Sequence, residues 1–329
     1  MGTTRESEDT GLSRRTFIGG GAAATLGVML SGSLAPVARA SGVSHGSLNG
    51  AAGGFDGYGP LRLDPAGRLS LPNGFHYTVV AEAGVTQLDS GEPSPDNCDG
   101  MDSFARQGGG AILVLNHEMR AVGSFVYGVP QPPGLVYDPG VNGGTTTIEV
   151  DKHGNRVLEY VSLAGTSTNC AGGKTPWNTW LSCEEAFNET GQTKQHGFVF
   201  EVDPYDQEAN LNPVPIFALG RFEHEALAVD PDTGQIYETE DANNPHGLFF
   251  RWSPPESALP LGKGSLRALG PADGLFETMR ARTESGAFVP DLCVVTDPGT
   301  TLTVEWIAVP NRAGSPLVRR QFNGFWNGA

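Results

Sequence analysis

Residues 196–204 read HGFVFEVDP, and fifty positions on residues 246–254 read HGLFFRWSP. Each copy follows a strand-like run that ends in acid: TWLSCEE at 179–185 before the first, IYETED at 236–241 before the second. A weaker, earlier copy has AILVLNHE at 111–118, then TTTIEVD at 145–151. A period near fifty with several strands per unit is the pattern of β-propeller blades. A β-sandwich with chance similarity is the competing reading, but it gives no reason for the same acidic ending before the same strand. In a propeller, equivalent strand ends from successive blades gather around one axis, and acids distant in sequence converge there.

The rest of the chain agrees with an all-β class. Gly (46) and Pro (24) are abundant and dispersed, and beyond residue 40 no long amphipathic helical pattern emerges. Short β-branched and aromatic runs bounded by turn residues predict strands at 111–115, 145–150, 197–202, 235–239, 248–252 and 301–308. Residues 41–60 are rich in Gly and Ser and read as a flexible leader, which leaves 61–329 for the propeller domain.

The beginning of the chain is of another kind. Ser13-Arg14-Arg15-Thr16-Phe17 precedes a weakly apolar Gly/Ala run and then Ala38-Arg39-Ala40, the pattern of a twin-arginine export signal over 1–40 with cleavage after Ala40. Too many glycines and serines interrupt the run for a membrane anchor. The implied location is extracytoplasmic, and the implied export partner is the twin-arginine translocase, which moves folded and often cofactor-loaded proteins. Removing forty of 329 residues leaves 289, enough for one large core or two modest ones, and no later stretch is apolar enough to span a bilayer. The formal charge of −16 argues against nucleic acid and anionic membrane as partners, and it would repel a phosphate substrate unless bound cations reversed the local sign.

Four endings carry the acids that a propeller would bring together: Asn116-His117-Glu118, Cys183-Glu184-Glu185, Glu223-His224-Glu225 and Thr239-Glu240-Asp241. Any one of them alone reads as a solvated turn. As a set at repeat-equivalent positions they read as a metal site, because confined carboxylates oppose one another's ionisation unless cations neutralise them. Oxygen ligands suit calcium; carboxylate with imidazole or thiolate suits a transition metal such as iron. The four cysteines, Cys98, Cys170, Cys183 and Cys293, permit two disulfides, and no CxxC spacing suggests structural zinc. Cys183 lies in a strand-like run and suits burial, whereas Cys170 sits in Asn169-Cys170-Ala171-Gly172-Gly173, which reads as a turn. Lys174, Thr166, Thr168 and Thr175 surround that segment, whose backbone N–H groups could face an oxyanion; Lys174 is the candidate catalytic residue. No GxSxG, Walker loop or strand-helix GxGxxG is present.

CDGMDSF at 98–104, LVLNHE at 113–118, TNCAGGKTPWNTWLSCEE at 168–185, HGFVFEVDP and LGRFEHEALAVDP at 219–231 occur in order, and together they resemble the PhoX family of alkaline phosphatases. The resemblance implies an exported phosphomonoesterase, a monomer acting on small phosphate esters, built on a six-bladed propeller with iron and calcium at its axis. It makes Cys170 a thiolate ligand to iron and Cys183 a packing residue. It carries metal-binding roles to Glu185 and Glu225, and further to Glu118 and Asp241. It also implies that family members continue past RRQFNGFWNGA at 319–329 into a block with a phosphate-contacting Arg-x-Glu, so that this length supplies about four blades at fifty residues each. On that expectation the domain is incomplete, its turnover is low, and a non-catalytic calcium-binding propeller is the alternative reading. A propeller lactonase would give no reason for the cysteine.

Overall fold

The computed structural model describes residues 57–120, 125–243, 246–314 and 317–322; the expected export signal and nearly all of the expected leader lie outside the described residues. The chain divides into two compact units, the first ending at Tyr77 and the second starting at Thr78. In the first, β1 (Leu61–Arg62) pairs antiparallel with β2 (Leu71–Pro72). The loop between them is organised by Asp64, whose carboxylate accepts from the backbone N–H groups of Ala66, Arg68 and Leu69 and from the Tyr77 hydroxyl at 2.6 Å.

The second unit holds three larger antiparallel sheets. The first runs β3 (Cys98–Ala105), β4 (Ala111–His117), β5 (Gly143–Val150), β6 (Arg156–Thr166) in chain order. The next has β7 (Asn169–Lys174), β8 (Trp180–Glu184) and β9 (Val199–Val202). The last follows β10 (His224–Val229), β11 (Ile236–Glu240), β12 (Phe249–Ser253) and β13 (Leu275–Thr283), with β14 (Phe288–Val289) and β15 (Leu302–Ala308) both on β13. The expected strands at 111–115, 145–150, 197–202, 235–239, 248–252 and 301–308 fall on β4, β5, β9, β11, β12 and β15. Where length suggests four units of fifty, the described residues of this unit build three such sheets. The third takes more chain than the repeat allows, because the connections 254–274 and 290–301 are long and carry only 3-10 turns.

One segment departs from its sequence reading. Asn169-Cys170-Ala171-Gly172-Gly173 is not a turn but the body of β7, and its glycines serve close packing. A Cβ on Gly172 would stand 2.0 Å from the Leu181 carbonyl oxygen, and one on Gly173 would stand 2.2 Å from that of Leu227 on β10. Only Gly lets backbones approach so closely. β7 accordingly lies between β3 and β10, so the first strands of the three sheets sit side by side.

Packing follows the strand period. β11 and β12 alternate buried and half-buried residues, whereas β8 and β9 are buried throughout, as expected for strands covered on both faces. The main core joins Leu181, Val199, Ile216, Phe222, Phe250, Trp252 and Phe276, with Phe250 tilted on Phe222 at 4.5 Å between ring centroids and stacked on Phe276 at 5.0 Å. Each such fully buried side chain stabilises the fold by about 1.5–3 kcal/mol. Cys183 belongs to this core, is wholly inaccessible, and forms no disulfide, nor do Cys98 and Cys170.

Candidate metal centre

The three sheets begin in the same way. The opening residue of each first strand pairs with the closing residue of its neighbour: Cys98 with His117, Asn169 with Glu184, His224 with Glu240. Immediately outside each pair, a backbone N–H closes the hairpin. Glu118 donates to the Asn97 carbonyl at 2.8 Å, Glu185 to that of Thr168 at 2.8 Å, and Asp241 to that of Glu223 at 3.2 Å. Immediately inside it, each first strand carries a bulge: Asp99-Gly100 face Asn116 alone, Cys170-Ala171 face Cys183 alone, and Glu225-Ala226 face Thr239 alone. A bulge bends its strand and re-aims a side chain.

The triple repetition yields six donor residues, two per sheet. Asp99, Cys170 and Glu225 are the first bulge residues; Glu118, Glu185 and Asp241 are the residues just past the second strands. Donor atoms of Cys170, Glu185 and Glu225 all lie within 4.8 Å of one another, and the Cys170 thiol donates to the Glu225 carboxylate at 3.2 and 3.3 Å. Asp99 is within hydrogen-bonding reach of both Glu118 and the Cys170 thiol, and Asp241 acts electrostatically on Glu185 and Glu225. The sequence-predicted Cys170, Glu185, Glu225, Glu118 and Asp241 are thus brought into one cluster. Lys174 is not: four residues along β7 from Cys170, or about 13 Å of strand, its ammonium donates to the Ser103 carbonyl at 2.6 Å and lies over the Phe104 ring.

Electrostatics mark the cluster as starved of positive charge. Burial, then the Asp99 carboxylate, pushes Glu118 up to about 7 despite the nearby Arg120 guanidinium. Burial pushes Glu185 to about 7 as well, aided by Glu118, Glu225 and Asp241. Burial also raises Glu225, though the Cys170 thiol partly offsets it, and burial with the charges of Glu225 and Asp99 drives that thiol far above its ordinary range. In the metal-free protein these groups keep protons that a cation would displace. The donor set fits one: a mostly buried thiol among carboxylates offers a soft ligand for a transition metal such as iron and hard oxygens for calcium.

Several supporting residues escaped the sequence reading. Asn116, fully buried, donates to the carbonyls of Cys170 at 3.2 Å and Ala171 at 2.8 Å while its own oxygen accepts from Trp180 and Ser182, so it pins the β7 bulge from β4. Glu184 accepts from Ser167, Gly197 and Phe198 backbone groups and from His196 at 2.6 Å; His196 reaches Asp138 at 3.1 Å on its other side. That fully buried chain holds the turn carrying Glu185. Asp99 was hidden because Asp99-Gly100 resembles an ordinary turn. Aligning the three strand starts, Cys98-Asp99-Gly100, Asn169-Cys170-Ala171 and His224-Glu225-Ala226, would have found it: each donor is followed by a small residue. At Gly100 the need is direct, since a Cβ there would lie 2.6 Å from the Ala171 Cα.

Among the described residues no helix is long and apolar enough to cross a membrane. No curated protein and no solved structure matches the chain. The family model described as alkaline phosphatase PhoX matches residues 56–161 and 154–326, two overlapping segments that cover most of the sequence. A match of that extent, over a chain whose three hairpins carry their acids to one place, makes this protein a member of the PhoX alkaline phosphatase family.

Proposed function

We propose that the protein is an exported, metal-dependent alkaline phosphatase that hydrolyses phosphate monoesters, with the cluster at the three hairpin openings as its metal centre. The observation that carries the reading is the meeting of one buried thiol with carboxylates from three sheets, where protons stand in for missing positive charge. Cys170, with Glu225 and Glu185, would hold iron; Glu118, Asp241 and Asp99 complete the donors for calcium. Bound cations supply Lewis-acid polarisation of the phosphoryl oxygens and offset charge that builds in the transition state. The chain's own contribution is to fix the donors, with Asn116 tying the bulge that carries Cys170 and the Glu184–His196–Asp138 chain holding the turn that carries Glu185.

The side-by-side first strands support the propeller architecture, with β3, β7 and β10 innermost in successive blades. Export through the twin-arginine route, a monomeric state and small phosphate esters as substrates complete the proposal. The test is hydrolysis of an aryl phosphate at alkaline pH by the purified protein, before and after chelation and after restoring calcium and iron. Turnover lost on chelation and regained with metal is expected. A metal-bound protein without turnover would leave the non-catalytic calcium-binding module as the better reading.

A further inference from the structure

Arg120 follows β4 by three residues and holds its guanidinium at the exposed edge of the cluster. Its Nη2 lies 3.7 Å from Glu118 and 3.9 Å from Glu185, and its Nη1 lies 3.5 Å from Glu189. None of these is a tight bond, and the side chain remains 55% exposed. The group is held in place by charge, with most of its N–H donors unengaged. Glu189 is itself fixed, since its other oxygen accepts from Ser167 at 2.9 Å and Thr168 at 3.4 Å on the strand start that carries Cys170.

A neutralising role does not account for the placement. Of the five carboxylates of the cluster the guanidinium reaches only Glu118 and Glu185, and a residue meant to balance all five would lie buried within hydrogen-bond distance of them. What the position suits is an incoming anion. Once cations engage Glu118 and Glu185, the pull of those carboxylates on Arg120 weakens, and a planar fork standing beside the metal centre matches two oxygens of a tetrahedral dianion. We infer that Arg120 is the substrate-anchoring residue, gripping the non-bridging phosphoryl oxygens of a phosphate monoester while Glu189 sets its orientation. The inference rests on the phosphatase reading only for the identity of the anion.

The experiment titrates inorganic phosphate into the metal-loaded full chain by calorimetry, for the wild type, Arg120→Ala and Arg120→Lys, with iron and calcium measured in each. Expected is a loss of phosphate affinity of about tenfold or more in the alanine variant, with metal content retained. Lysine should recover part of the affinity, since it keeps the charge without the fork. Phosphate affinity unchanged in Arg120→Ala would overturn the inference. So would metal lost from that variant, which would assign Arg120 to the metal centre instead, or a wild type that binds no phosphate. Wild-type protein that binds phosphate through Arg120 but turns over no ester would contradict the phosphatase reading alone.

Discussion

Asp99 separates a structural account of the site from a motif account. Sequence placed Glu185, Glu225, Glu118 and Asp241 at acid-rich endings and Cys170 in a glycine-containing segment, but it took register to show that Asp99 occupies the bulge position held by Cys170 and Glu225 in the other sheets. Asp99→Asn should therefore lower metal affinity by about tenfold or more, comparably to Glu225→Gln, measured by competitive chelator titration. An affinity equal to that of wild type would return Asp99 to the status of a turn residue. A pH dependence follows from the same cluster. In the metal-free protein Glu118 and Glu185 titrate near 7 in the folded state against 4.5 for an ordinary glutamate, so the native state binds more protons across that window and stability falls as pH rises through it. His196, raised by Glu184 and Asp138 against the opposing effect of burial, contributes in the same direction as pH passes its own folded value. Metal loading replaces the cluster's protons and leaves His196 as it was. Denaturation midpoints at pH 5 and pH 8 should thus fall more steeply for the metal-free than for the loaded protein; parallel curves would mean that the carboxylates do not share a cation.

At the scale of elements, strands were legible and their packing was not. Alternating hydrophobicity and turn residues are local, and they located β4, β5, β9, β11, β12 and β15. The Asn-Cys-Ala-Gly-Gly segment misled because glycine is read first as a turn former, while here it admits a neighbouring backbone, a requirement set by residues such as Leu227 more than fifty positions away. Gly173→Ala tests this. Its Cβ would meet the Leu227 carbonyl at 2.2 Å and force β7 away from β10, separating Cys170 from Glu225 without altering any ligand. A destabilisation of about 1–3 kcal/mol and reduced metal content are expected by denaturant titration and elemental analysis. Gly262→Ala, where an added Cβ would meet nothing within 4 Å, is the control. Equal metal content in both variants would show that the spacing of the two strands does not govern the site.

For the whole molecule, the repeat at 196–204 and 246–254 pointed to stacked β units, and three sheets with a common opening geometry are their physical form. The repeat length did not transmit the size of the third sheet, because insertions between strands carry no hydrophobic period. What unites the levels is that one local device, a closing backbone bond, an end pair and a bulge, occurs three times and points its donors to one spot. On the function proposed above, this spot binds metal through Cys170. That ligation is tested most directly by the iron content of the purified protein beside that of Cys170→Ser and Cys183→Ser. Both thiols are buried, but among the described residues the first shares a cluster of donor atoms within 4.8 Å of one another with Glu185 and Glu225, whereas the second packs into the apolar core. A hydroxyl cannot replace a thiolate ligand, whereas a packed cysteine tolerates the exchange better. Iron is expected in the wild type, with nearly the same amount in Cys183→Ser and its loss in Cys170→Ser; equal iron in the two variants would mean that Cys170 is not a ligand.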